Sequence, residues 1–70
     1  MKKDTLRTYN ASGKIMYEEH FQNATKAYEA FKDCVATAER LPEGYETTVI
    51  RYDENGRIMN LNTVIGKGWK

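Results

Sequence analysis

Apolar positions along this chain follow two alternating rhythms with a helical one between them. Thr5 to Tyr9 and Lys14 to Phe21 each fit a strand, whose two-residue period deals their apolar side chains to both faces. Between Ala24 and Leu41 the spacing lengthens. At about 100° per residue, Ala24, Ala27, Phe31, Cys34, Val35, Ala38 and Leu41 fall on one side, with Tyr28 and Ala30 at its margins. Glu29, Asp33, Ala36 and Arg40 fall opposite. Asn23 stands where an N-cap belongs, because its side chain can satisfy a free amide of the first turn. Pro42 cannot continue the helix, and Leu41-Pro42-Glu43-Gly44 suits a tight turn. The alternating rhythm then resumes over Tyr45 to Tyr52 and Arg57 to Ile65.

Each pair of predicted strands is joined by nearly the same words. Tyr9-Asn10-Ala11-Ser12-Gly13-Lys14-Ile15-Met16 and Tyr52-Asp53-Glu54-Asn55-Gly56-Arg57-Ile58-Met59 share Tyr, Gly, Ile and Met, and keep the chemistry at the Asn/Asp and Lys/Arg positions. An Asn or Asp that bonds its own backbone opens a type I turn, and a Gly three residues on accepts positive φ. Both stretches are therefore hairpin tips closed by a G1 bulge. Turn chemistry explains enough of the likeness that convergence is favoured over duplication.

In the first hairpin this register sets Tyr9 opposite Ile15 and Arg7 opposite Tyr17. One face would carry Tyr9, Ile15, Tyr17 and Phe21, the other Leu6, Thr8, Met16, Glu18 and His20. In the second, Tyr45, Val49, Met59, Leu61 and Ile65 would share a face, opposite Ile50, Tyr52, Ile58 and Val64. The sum is an α+β fold, β-β-α-β-β, with a four-stranded antiparallel sheet from two hairpins and one helix packed on one face. Residues 1–65 form the single domain and 66–70 a C-terminal tail. Strand order is left open. One helix covers one face, yet both faces hold bulky apolar residues, and an uncovered apolar face usually marks a partner surface.

Size strengthens that expectation. Seventy residues enclose a core so small that burial and conformational entropy nearly cancel. The single cysteine, Cys34, excludes an internal disulfide, which leaves a second subunit as the natural supplement. A net charge of +1 gives no push toward nucleic acid, and the basic termini flanking an acidic middle fit a solvated mixed surface. No apolar run reaches membrane-spanning length, and Met1-Lys2-Lys3 is followed by polar residues, so the expected location is the cytoplasm.

Candidate chemistry is sparse. Glu18 and His20 would share a face beside Glu19, but two ligands do not make a metal site, so an exposed polar pair is favoured. Cys34 lies mid-helix on the apolar side and fits a buried small hydrophobe better than a nucleophile. The glycine tips match no phosphate-binding motif and precede strands rather than helices. Lys14 and Arg57 at those tips fit a solubility role. No cofactor, metal or catalytic set is expected, and the chain is read as a non-enzyme.

The passage Leu41-Pro42-Glu43-Gly44-Tyr45-Glu46-Thr47-Thr48-Val49-Ile50-Arg51, after an alanine-rich helix, is similar to the helix-to-strand passage of the small phage inhibitor of bacterial RNA polymerase. The hairpin Tyr52 to Ile58 is similar to the Tyr-Asp repeat hairpins of large bacterial surface proteins and to short conserved domains of unknown function. These resemblances cover under half of the chain and imply a bacterial or phage origin. They carry over no functional residue.

The leading expectation is a small protein-interaction module that self-associates as a homodimer through the open sheet face. A phage or mobile-element regulator of a host protein is one form this would take. Its contact residues would be Tyr9, Ile15, Tyr17, Tyr52 and Ile58, with Arg7 and Arg51 as rim charges and Trp69 as an anchor or a lid on the sheet. The alternative is nucleic-acid binding, which needs Arg7, Lys14, Arg51 and Arg57 gathered beside the tyrosines on one face. A purely structural domain is the third reading.

Overall fold

The computed structural model describes residues 4–68. Strands β1 (Asp4–Tyr9) and β2 (Ile15–Phe21) form the first hairpin, helix α1 (Ala24–Glu39) follows, and β3 (Glu46–Tyr52) and β4 (Ile58–Ile65) form the second. The sheet is antiparallel in the order β2-β1-β3-β4, so the first strands of the two hairpins are the central pair and the second strands are the edges. The expected β-β-α-β-β architecture, with one helix across one face, is the fold. No helix of the described residues is long and apolar enough to cross a membrane.

Both tips form as their residues dictate. The Asn10 side-chain oxygen accepts from the amides of Ser12 and Lys14 at 2.9 and 3.0 Å, and the Asp53 carboxylate accepts from Asn55 and Arg57 at 2.8 and 2.9 Å. Gly13 and Gly56 follow with φ of 84° and 85°, a region costly to any residue with a Cβ. These bonds lower the Asp53 pKa, because an ionised carboxylate accepts the amides of Arg57 and Asn55 more strongly.

Beyond each tip the register slips a second time. Tyr9 faces Ile15, but Thr8 faces Tyr17, leaving Met16 as an extra residue. In the second hairpin Tyr52 faces Ile58 and Arg51 faces Asn60, leaving Met59 extra in the same way. A bulge of one residue moves everything beyond it to the other face. The expectation of Arg7 opposite Tyr17 is corrected accordingly: Arg7 pairs with Glu18.

The faces are redistributed as a result. Leu6, Thr8, Tyr17 and Phe21 lie toward α1, together with Val49, Arg51 and Val64, whereas Tyr9, Ile15, Glu18 and His20 lie on the open face with Ile50, Tyr52, Ile58, Leu61 and Ile65. Tyr17 and Phe21 thus part from Tyr9, and Leu61 and Ile65 part from Val49.

The core is a thin layer between helix and sheet. Leu6 and Val49, adjacent central-strand residues, are fully buried against Phe31, with Phe21, Ala30, Cys34 and Val35 packed around them. Ala27 and Ala38 are buried as well, since small side chains let the helix lie close on the strands. Asn23 caps α1 by accepting from the amides of Thr25 and Lys26 at 2.8 and 3.2 Å. At the other end, Gly66 donates to Tyr45 at 2.7 Å while its carbonyl accepts from Gly44 at 3.1 Å, tying β4 to the turn after the helix. Space there is tight: a Cβ on Gly66 would lie 2.4 Å from the Pro42 carbonyl oxygen.

Candidate interaction surface

The two hairpins are related by an approximate twofold axis through the sheet. Tyr9 and Tyr52 stand 43 residues apart, and the same offset carries Thr5 onto Thr48 and Ile15 onto Ile58. The central register respects it, because Thr5 faces Tyr52 and Tyr9 faces Thr48, with Arg7 and Ile50 paired on the axis. The hydroxyls of the two tyrosines meet across that axis at 2.9 Å.

Arg7 holds the centre of the open face. Its Nε donates to Glu18 at 2.8 Å, and its guanidinium lies 5.2 Å from the centre of the Tyr52 ring. Bonds to Tyr9 and to Glu18 raise its pKa further above the usual arginine value. The phenols divide in opposite directions. Tyr9 is lowered, chiefly by the bond from Tyr52 and then by Arg7, while Tyr52 is raised, chiefly by the proton it shares with Tyr9.

Around this polar centre lie apolar residues that no part of the described chain covers. Ile15, Ile58, Leu61 and Ile65 are 45, 55, 54 and 51 % exposed, and Ile50 is half-buried among them. Thr48 meets Thr63 at 3.3 Å and Thr5 meets His20 Nδ1 at 3.0 Å, so the remaining rows are closed by side-chain bonds. The arrangement is an open sheet face with paired hydroxyls near its centre and exposed aliphatic side chains at its corners.

Five of the expected contact residues are gathered here: Arg7, Tyr9, Ile15, Tyr52 and Ile58. Tyr17 and Arg51 are not. Tyr17 lies toward the helix, its hydroxyl donates to Glu19, and that bond with burial pushes its pKa up to about 12. Arg51 is a structural tie under α1. It donates to Asp4 at 2.7 Å and to Asn60 at 2.7 Å, and its guanidinium lies 5.9 Å from the Tyr28 ring centre. Trp69 lies outside the described residues. Ile50, Leu61, Ile65 and Glu18 belong to this face and are absent from the expected set; alternation along β3 already places Ile50 with Tyr52, and counting the second bulge places the other three.

The cations named for nucleic-acid contact do not converge. Arg7 and Arg51 occupy opposite faces, and the tips bearing Lys14 and Arg57 follow antiparallel neighbours and so stand at opposite ends of the sheet. On the helix side, a cleft of about 320 Å3 between α1 and the first hairpin is lined by Met16, Tyr17, Cys34 and Leu41 among others. Burial, then Asp33 and Glu19, raise the Cys34 thiol pKa, which opposes thiolate formation. Among the described residues no three His, Cys, Asp or Glu side chains gather as metal ligands would.

Comparison with protein-family models, curated proteins and solved structures returns no match to this chain.

Proposed function

We propose that this chain is a small non-enzymatic protein-interaction module whose contact surface is the open face of the sheet, and that its partner there is a second copy of itself. The observation that carries the reading is the Tyr9–Tyr52 centre flanked by exposed Ile15, Ile58, Leu61 and Ile65, with no described element laid over it. Four large aliphatic side chains exposed on one face of so small a domain are costly to leave in water.

A second copy fits because Tyr9/Tyr52, Ile15/Ile58 and Thr5/Thr48 repeat about the axis of this face, while Arg7/Ile50 and Glu18/Leu61 are its unlike pairs. An isologous dimer needs one patch that complements itself, and a face with tyrosine and isoleucine repeated about a twofold axis offers like rows under that rotation. Four strands about 4.8 Å apart and about seven residues long at roughly 3.3 Å each give a footprint of roughly 400 Å². That is below the roughly 800 Å² per partner of a standard interface, so this contact belongs to the weak, micromolar class.

Sedimentation equilibrium over a range of concentrations tests the reading. Mass should rise with concentration, and Ile15→Lys, which places a charge on an exposed corner of the face, should lower the association. A mass that Ile15→Lys leaves unchanged would remove the face as the contact.

A further inference from the structure

The two edges of the sheet are not equally protected. Edge strands present unpaired amides and carbonyls, and natural proteins blunt them with charge, proline, bulges or a covering segment. Edge β2 carries Glu18, Glu19 and His20 within its seven residues. Edge β4 reads Ile-Met-Asn-Leu-Asn-Thr-Val-Ile, eight residues without charge, proline or glycine. Its bulge lies at the start, and Asn60 to Ile65 runs in unbroken register on β3. Among the described residues after β4, Lys67 and Gly68 bond to the carbonyls of Glu39 and Leu41 at the helix end, 3.0 and 2.8 Å away, rather than to the β4 edge.

We propose that β4 is a docking edge for the β4 strand of a second copy, paired antiparallel about a twofold axis so that the two sheets run on as one. The inference rests on the reading of the chain as self-associating but uses a different surface, the backbone edge rather than the face.

Charge and closure select this pairing from three. Two β2 edges would bring Glu18 and Glu19 of each copy toward the other's acids, at a cost when like charges stand opposite. A β2 edge on a β4 edge leaves one free edge of each kind at every step, which grows a filament rather than a closed assembly. Two β4 edges close on themselves, and with no charge on either strand no like charges stand opposite within the paired segment. With Thr63 on the axis, Leu61 comes opposite the partner subunit's Ile65 on the open-face side, joining two exposed aliphatic side chains twice over the seam. The seam lengthens the open face without covering it, so edge pairing and face stacking are compatible.

Amide hydrogen exchange read residue by residue, at dilute and concentrated protein, tests the proposal. Outward amides of Asn60 to Ile65 should slow about fivefold once the total chain concentration exceeds the dissociation constant by about tenfold, where about one chain in five is still monomeric, while those of β2 keep their rate. Asn62→Lys, at an exposed position whose side chain forms no described bond, should abolish this concentration dependence. Ile15→Lys should leave it in place. Exchange in β4 that ignores concentration in the unmodified chain would overturn the proposal, as would equal slowing of both edges or an Asn62→Lys chain that still shows it. Failure of the face alone reads differently: Ile15→Lys would leave the mass unchanged while β4 protection persists.

Discussion

Tyr9 and Tyr52 occupy the same place in two matching hairpins, and their hydroxyls meet at 2.9 Å over Arg7. Each is followed by an Asx tip, a positive-φ glycine and an isoleucine directly opposite. The repeat in the sequence is therefore a repeat in geometry, and the bond between its two tyrosines joins one hairpin to the other.

That pair should ionise in two separated steps. The phenolate absorbance of the folded chain should show Tyr9 titrating below 10.0 and Tyr52 above it. In Tyr52→Phe, Tyr9 loses the donor that stabilises its phenolate, so its titration should move up. An unmoved Tyr9 would mean that the hydroxyl bond is not formed in solution.

One tip opens on an amide and the other on a carboxylate, and acid should reveal the difference. Asp53 has a folded pKa below 3.8, so its contribution to stability is present above that value and is lost as pH falls through the lower folded value. Asn10 makes the same two amide contacts without a charge. Asp53→Asn should therefore keep the turn at neutral pH and flatten the fall in urea midpoint as the pH drops below the usual carboxylate range. An unchanged acid profile would assign the loss to another carboxylate.

The Asp4–Arg51 bridge is expected to matter more than a surface pair, because the two side chains are only 14 and 12 % exposed. Asp4→Asn leaves Arg51 without its counter-charge and should cost about 1–3 kcal/mol in chemical unfolding. Asp4→Leu with Arg51→Met should fall closer to the parent than either single change, since neither charge is then left uncompensated. Equal additivity of the two single changes would show that the pair is not coupled.

Gly66 is set by space rather than by its backbone angle. Gly66→Ala must push the Leu41–Pro42 backbone aside, and a loss of about 2–4 kcal/mol is expected in thermal or urea unfolding. A stability equal to the parent's would show that the turn yields freely.

The elements were legible because their signals are local. Asn23, Pro42 and the Asx-Gly tips mark ends by hydrogen bonding and backbone sterics that need no tertiary partner, and the strands and helix lie within two residues of where the pattern places them. Face assignment was not legible from the tips, because Met16 and Met59 bulge without a glycine, a proline or a positive φ to announce it. Counting back from the far ends of the strands, where Leu6, Phe21, Val49 and Val64 must meet the helix, gives the observed faces; counting outward from the tips does not. The same slip moves Tyr17 off the open face and brings Leu61 and Ile65 onto it. Arg51 was misread for a second reason, since a charge on a strand gives no sign that Asp4, Asn60 and Tyr28 will enclose it.

The central claim, that copies of this chain meet through the open sheet face, is tested most directly by isotope-filtered nuclear Overhauser spectra on a mixture of labelled and unlabelled protein. Methyl groups of Ile15, Ile50 and Leu61 in one copy should show cross-peaks to the ring protons of Tyr9 and Tyr52 in the other. Intermolecular cross-peaks confined to the helix side, or none at concentrations where the mass has doubled, would contradict it.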